Sequence, residues 1–296
     1  MNASEDSGNS TTRLPTTDKT QPTLAPVSRL QPVLFLPTKH NRLGQGGLRY
    51  RSVFKKSSSE TPLVTVITVV FNDVKHIENT ILSVISQSYV NIEYIIIDGG
   101  STDGTLEIIG HYDGKIDYWI SEGDECLYEA MNKAVESSTG TWLNFMNSGD
   151  VFTDNESISQ AMDFSTSGAD VIYSDHYRYN EARGSLERVT CDIHCLRILH
   201  QSMVYRRYLH EKHGMYLASK GLTIADYIFF NLLDKNSFIK SPYPISKNLE
   251  GGISSGSNHI RERFAVDYLF NNMSLLEIVV SIAAAHLKRL VNRFTQ

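Results

Sequence analysis

The 296-residue chain has only three cysteines, Cys126, Cys191 and Cys195, and eight prolines, five of them before residue 60. So few cysteines in so long a chain exclude a disulfide framework. The segment "CDIHC" sets Cys191, His194 and Cys195 at helical spacing with His200 nearby, but a zinc site needs a second ligand pair and Cys126 is the only other thiol. A packed helix face is therefore the expectation. No run of 18 or more apolar residues occurs, which leaves no obvious transmembrane span. No apolar core follows the first charges, as a secretory leader requires, so a reducing cytoplasm is the expected compartment. Neither G-x-x-x-x-G-K-[ST] nor a G-x-G-x-x-G strand-to-helix turn is present, which argues against P-loop nucleotidases and Rossmann dehydrogenases. The net charge is −5, yet residues 1–60 are basic in balance, so the remainder is more acidic than the total. Without a basic face to meet phosphates, nucleic acid is not an expected partner. Acidic groups instead suit a divalent cation that in turn holds an anionic ligand.

Residues 1–60 are rich in Pro, Ser, Thr and Asn and lack hydrophobic periodicity apart from "VLFL" at Val33–Leu36. They are expected to form a basic, disordered arm, either idle or drawn to an anionic surface. The body opens at "LVTVITVVF", a β-branched run suited to a strand buried on both faces. Val74, Ile77, Ile81, Val84 and Ile85 then repeat as one helix face. "IEYIIIDGG", "DYWIS" and "TWLNFM" read as strands, "STDGTLEIIGHY" and "LYEAMNKAVESS" as the helices between them. Such alternation predicts an α/β fold with a mainly parallel sheet and helices on both faces. Its ligands belong at the carboxyl ends of the strands, where Asn72, Asp73, Asp98, Glu122, Asp124, Asn147 and Asp150 gather. Later residues are less regular: "DVIYSD" reads as a strand, "ADYIFFNLLDK" as a helix, and Ser274–Phe294 as a C-terminal helix. The expected layout is an arm over 1–60, a domain over 61–270 with halves 61–152 and 153–270, and a helical tail over 271–296.

Taken alone, "IIIDGGSTDGT" is either a ligand-approach loop or a tight β–α turn with a solvated Asp98, its helix capped by Ser101 or Asp103. The ordered set "VTVITVVFN", "IIIDGGSTDGT", "SEGDECLYEAMNKA", "FMNSGD" and "EGGIS" resembles family 2 glycosyltransferases of the GT-A fold, notably the bacterial group that builds surface polysaccharides. The resemblance spans residues 62–256. It implies nucleotide contacts at Thr68, Phe71 and Asn72, a base contact at Asp98, and a second acid at Asp103, for which a helix cap serves equally. It implies that Asp124, Tyr128 and Asn132 border the nucleotide and donor sugar, although Gly123, Cys126, Glu129 and Ala134 depart from the group's usual residues. It also implies that Asp150 binds Mg²⁺ or Mn²⁺ bridging the donor diphosphate. One carboxylate can suffice, because such ions take one or two protein carboxylates and complete their shell from phosphate and water.

The resemblance further implies an inverting transfer from a nucleotide-diphospho-sugar to a glycan or lipid-linked acceptor, with a single carboxylate base. Asp226 in "ADYIFF" is the candidate base, an ordinary N-cap being the alternative; Asp175 is a rival. His200 in "HQS" is expected on the acceptor side or at the donor phosphate, or to be structural. Gly251 and Gly252 belong to a glycine-rich loop that is either a lid over the donor or a plain surface loop. Arg261 and Arg263, which follow it, are further diphosphate candidates. The C-terminal helix either packs through Val279, Ile282, Ala283, Leu287, Leu290 and Val291 or lies on the inner face of a membrane. The competing readings are a catalytically silent sugar-nucleotide-binding subunit and, last, a nucleotidyltransferase.

Overall fold

A computed structural model describes residues 30–193, 198–251 and 257–294. The first half runs β1 (Arg42–Gly46), β2 (Val64–Val70), α1 (Ile77–Ile85), β3 (Ile92–Asp98), α2 (Thr105–His111), β4 (Tyr118–Glu122), α3 (Leu127–Ser137) and β5 (Trp142–Phe145). The second runs β6 (Val151–Phe152), α4 (Ser157–Met162), β7 (Val171–Tyr173), β8 (His176–Asn180), β9 (Ser185–Val189), β10 (Met203–Arg206), α5 (Tyr208–His213), α6 (Ala225–Asn231), β11 (Phe238–Lys240), β12 (Ser246–Leu249), α7 (Ser257–Leu269) and α8 (Leu275–Phe294).

All seven residues of β2 are buried, and their alternation divides them between two cores. Val64, Val66 and Val70 join Ile77, Ile81 and Val84 of α1 and Ile109 of α2. Ile67 and Val69 face the other way, with Met131, Ala134 and Val135 of α3. Helices on both faces are what make the strand apolar throughout. The large sheet has the order β1-β4-β3-β2-β5-β10-β7-β11. Its central strands β4, β3, β2 and β5 are parallel, as expected. Val70 lies level with Asp98, and Asp98 with Ser121. The loops after β2, β3, β4 and β5 therefore leave from one edge.

Four findings differ from the sequence reading. Residues 30–60, assigned to the arm, are part of the fold: β1 pairs antiparallel with β4. Arg49 is buried against Glu93 at 2.8 Å, and both terminal nitrogens of the Arg207 guanidinium donate to the Leu30 carbonyl. Leu30 and Leu36 reach the main core, but they stand singly among edge pairing and ion pairs, which leaves no periodic pattern. Val74 is exposed and precedes α1 instead of packing in it. A second sheet, β6-β12-β8-β9, stands beside the first, and its β6 of two residues is too short to register as a pattern. Finally, α7 packs on α6 through Val266, Phe270 and Ile224, but Val279, Ile282 and Ala283 of α8, named for packing, are exposed. Leu287, Leu290 and Val291 lie where side chains are outside the description.

Candidate active site

At the end of β5, the turn Asn147–Asp150 closes through Asp150 N–H to the Asn147 carbonyl, with Gly149 at φ 91°. Only a glycine takes that conformation without strain. The turn delivers Asp150 into the interior, 7% exposed. Its Oδ1 accepts from the Leu249 N–H at 2.9 Å and its Oδ2 from the Gln201 amide at 2.6 Å. Among the described residues it forms no salt bridge. Burial pushes its pKa up to about 6, with the Leu249 and Gln201 donors pulling it partly back.

That pattern fits a divalent cation. A buried carboxylate lacks a counter-ion, each oxygen keeps a lone pair, and the Asn147 side-chain oxygen on the same turn is buried without a partner. Hard oxygen donors of this kind suit Mg²⁺ or Mn²⁺. Among the described residues no group of three or more His, Cys, Asp or Glu side chains gathers to hold an ion, so a ligand would have to complete the shell. A second carboxylate stands close by: Asp73 accepts from the Ser148 hydroxyl at 2.7 Å and contacts His76 Nδ1 at 2.5 Å.

Asp226 is not an N-cap. The cap position of α6 is Ile224, and Asp226 lies inside the first turn. Tyr128 donates its hydroxyl to Asp226 Oδ1 at 2.7 Å, and His200 Nδ1 lies 2.6 Å from Oδ2. Burial would raise its pKa, but the His200 and Tyr128 bonds more than offset this and hold it below the ordinary carboxylate value. His200 Nε2 is in turn 3.0 Å from the Asn147 amide nitrogen. The residue expected on the acceptor side thus bridges Asp226 and the Asp150 turn. The rival Asp175 is committed elsewhere, to Lys240, Arg188 and the Cys191 N–H.

The nucleotide-side residues divide. Phe71 is 64% exposed, and its ring lies over Gly99, where an added Cβ would stand 3.3 Å from it. Asn72, at φ 49°, accepts from the Thr102 N–H and ties this loop to the next. Thr68, by contrast, is fully buried and bonded to Tyr94 and the Met146 carbonyl. Asp98 is also fully buried, with its carboxylate taken by the Gly100 and Ser101 N–H groups and the Ser101 and Ser121 hydroxyls. Both side chains lie beneath the surface at this edge of the sheet. Asp103 accepts from the Thr105 and Val74 N–H groups, closing the turn ahead of α2. Asp124 is paired with Lys133, which also holds Glu122 at 2.7 Å; its Oδ2 is buried without a partner. Asn132 bonds the N–H and carbonyl of Tyr216, and the Tyr128 hydroxyl is directed at Asp226.

Gly251, at φ 106°, is exposed at the end of β12, while Gly252 lies outside the described residues. Arg263 is engaged with Asp267 and the Tyr227 ring. Cys191 lies 3.4 Å from His176 Nδ1; His194 and Cys195 are outside the description.

The profile of glycosyl transferase family 2 matches residues 65–233, a span that holds every strand of the parallel core and both carboxylates, Asp150 and Asp226. The chain belongs to glycosyl transferase family 2. Among curated members of similar sequence, the uncharacterized glycosyltransferase Rv1514c of Mycobacterium tuberculosis is 37% identical over 106 residues, 36% of this chain and 40% of that one. TuaG of Bacillus subtilis, whose name assigns it provisionally to teichuronic acid biosynthesis, is 42% identical over 93 residues, 30% of this chain and 36% of that one. The PGL/p-HBAD biosynthesis glycosyltransferase of Mycobacterium bovis is 27% identical over 166 residues, 52% and 63% of the two chains. The matches thus span less than two thirds of these relatives' lengths. Staphylococcus aureus TarS 1–349 in complex with UDP-GlcNAc superposes with a TM-score of 0.58 at 18% identity, over 72% of this chain and 68% of that one. The mannosyltransferase PcManGT of Pyrobaculum calidifontis, in complex with GDP-Man and Mn²⁺, does so with 0.52 at 13%, over 81% and 85%. The fold is GT-A.

Within this family 2 site, sequence reasoning overlooked three contributors. Gln201 is carried by the same "HQS" signal as His200, but its contact with Asp150 has no sequence mark. Asp73 stands at a strand end, and only the fold sets it against Ser148 of the Asp150 turn. Lys133 reads as an ordinary helix lysine, and only burial, at 9% exposed, reveals it as the counter-ion of Asp124 and Glu122.

Proposed function

We propose that the protein is an inverting glycosyltransferase that moves a sugar from a nucleotide-diphospho-sugar to a hydroxyl of a glycan or lipid-linked acceptor in bacterial surface-polysaccharide biosynthesis. The observation that carries this reading is that two unlike carboxylates are held by adjacent residues, Asp150 by Gln201 and Asp226 by His200. Asp150 is buried without a counter-ion, and Asp226 is kept ionised between a phenol and an imidazole. The first suits a cation, the second a proton.

Transfer breaks the bond between the anomeric carbon and the diphosphate and forms one to the acceptor oxygen, whose proton must leave. Phe71 offers an aromatic face for the nucleotide base, and the backbone of Gly99 and Gly100 allows close approach. Asp150, aided by the Asn147 oxygen, would hold Mg²⁺ or Mn²⁺. When bound, the ion neutralises the charge that develops on the departing diphosphate. Asp226, oriented by Tyr128 and His200, receives the acceptor proton as general base, a role worth roughly 10²–10⁴ in rate. A single base on the acceptor side supports inversion, since no residue in the described cluster is placed as a second, covalent carboxylate beside it. Asp124, with its unpartnered Oδ2, is proposed to meet a donor hydroxyl.

The names of relatives support a surface-glycan pathway, and those of structural neighbours a nucleotide-sugar donor. No described helix is long and apolar enough to cross a membrane. Leu275, Leu276, Val279, Val280 and Ile282 of α8 are exposed, and Lys288, Arg289 and Arg293 follow in its sequence. This combination supports contact with an anionic membrane surface.

The test is a thermal-shift screen of UDP, GDP and dTDP with Mn²⁺, followed by donor hydrolysis and transfer assays. Asp226→Asn should retain nucleotide binding and lose at least about 100-fold in turnover. Stabilisation by a nucleotide without hydrolysis or transfer of any donor would favour the silent binding subunit. Near-normal turnover of Asp226→Asn would move the base elsewhere.

A further inference from the structure

Three consecutive residues, His200, Gln201 and Ser202, form one 3₁₀ turn between the two carboxylates. His200 reaches Asp226 at 2.6 Å, and Gln201 reaches Asp150 at 2.6 Å. The turn itself is fastened from behind. Asn144 of β5, fully buried, donates to the carbonyls of Gln201 and Met203 at 3.2 and 2.8 Å. Ser202, also fully buried, bonds the Ser246 hydroxyl of β12 at 2.6 Å, and its carbonyl accepts from the Ser174 N–H at the end of β7. Gln201 is 8% exposed and its Oε1 has no partner. A buried amide that leaves one end unsatisfied while spending the other on a carboxylate is costly to keep for packing alone.

We propose that the His200–Ser202 turn is the positioning element of the active site, with its two side chains aiming two different groups. Gln201 orients Asp150 toward the cation, and His200 orients Asp226 toward the acceptor hydroxyl. Because the residues are adjacent on a turn pinned to β5, β7 and β12, the spacing between the leaving diphosphate and the incoming hydroxyl is set by one rigid unit. Neither side chain need touch substrate. The inference rests on the roles proposed above for Asp150 and Asp226.

The prediction is a separation of effects. Partners that orient a metal ligand typically contribute 10–100-fold to metal affinity. Gln201→Met, which keeps length but removes the N–H, should weaken Mn²⁺ binding by that factor. The readout is the loss of the free Mn²⁺ paramagnetic signal on titrating full-length protein with UDP, and in parallel with GDP. Release of UDP from UDP-GlcNAc, or of GDP from GDP-mannose, should fall in this variant and recover as Mn²⁺ is raised. His200→Gln, which meets the cation site only indirectly through the Asn147 amide, should weaken Mn²⁺ binding far less than the Gln201 change and lower release at every Mn²⁺ concentration. Gln201→Asn, too short to reach Asp150 but still polar, repeats the first arm if the methionine variant is unstable, and His200→Asn does so for the second.

Unchanged Mn²⁺ affinity in both folded Gln201 variants would overturn the proposal. So would an equal loss of Mn²⁺ affinity in the Gln201 and His200 variants, which marks a general disturbance of the fold. Asp150→Ala separates this from failure of the underlying reading. If it binds Mn²⁺ as tightly as the wild type, the cation is not at Asp150 and the role of Gln201 falls with it.

Discussion

Asp150→Asn should make the metal-free protein more stable while abolishing its cation-dependent function. The carboxylate is buried without a counter-ion, and its pKa is pushed from an ordinary 3.8 to about 6. At about 1.4 kcal/mol per pH unit, that rise amounts to roughly 3 kcal/mol against the folded, ionised state. The sign follows from the direction. A pKa higher in the folded than in the unfolded chain contributes stability that is complete below about pH 3.8. That stability is lost as pH climbs through about 6. Asparagine carries no charge, so the variant should gain up to about 3 kcal/mol over the wild type at pH 7.5 in EDTA, and under about 1 kcal/mol at pH 4. For a domain this size the gain at pH 7.5 corresponds to roughly 6–12 °C in Tm. The hydrogen bonds tolerate the change. The Leu249 N–H keeps an oxygen to donate to, and a half-turn of the Gln201 amide presents its unpartnered Oε1 to the new N–H. With Mn²⁺ and UDP or GDP at a hundred times Kd the gap should nearly close, since only the wild type gains from the cation, by about 2.7 kcal/mol. The measurement is urea denaturation at both pH values with and without metal. A variant less stable than the wild type at pH 7.5 in EDTA would refute the reasoning, because it would mean that Asp150 is held by compensating charge rather than awaiting it.

Other outcomes follow from the same geometry. Lys133→Met leaves Glu122 and Asp124 buried without their shared cation and should cost about 3–5 kcal/mol in urea denaturation; a loss under about 1 kcal/mol would show that Arg42, 2.7 Å from Glu122, suffices alone. Phe71→Ala removes an exposed ring, so Tm should hold while nucleotide affinity, measured calorimetrically, falls by about 1 kcal/mol. An unchanged Kd would remove Phe71 from the base platform. The double change Leu276→Asp and Val280→Asp alters exposed positions and should leave Tm within a few degrees. It should abolish co-sedimentation with phosphatidylserine-containing vesicles, and equal sedimentation of wild type and variant would end the membrane reading of α8.

Much of the nucleotide half was legible because its signals are local. Runs such as Val64–Val70 must be buried on both faces, helices of period 3.6 separate them, and polar residues stop each strand at the same edge. The resemblance then named Asp150 and Asp226. What it could not give was the partner of each side chain. Thr68, Asp98 and Asn132 occupy motif positions yet spend their polar atoms inside the protein. Residues 30–60 read as an arm because what holds them is scattered: long-range ion pairs such as Arg42–Glu122, Arg49–Glu93 and Lys55–Asp117, the pairing of β1 with β4 and two isolated core leucines leave no periodic trace.

The sequence by itself therefore determined the parallel sheet and its polar edge, since each depends on residue type and short-range spacing, and the family resemblance singled out Asp150 and Asp226 as candidates. Tertiary structure alone decided their chemistry. Asp150 and Asp226 lie 76 positions apart in the chain. One is made a poor anion by burial without a counter-ion, and the other a secure one by Tyr128 and His200. Those opposite environments arise from desolvation and from neighbours remote in sequence, which no local pattern records.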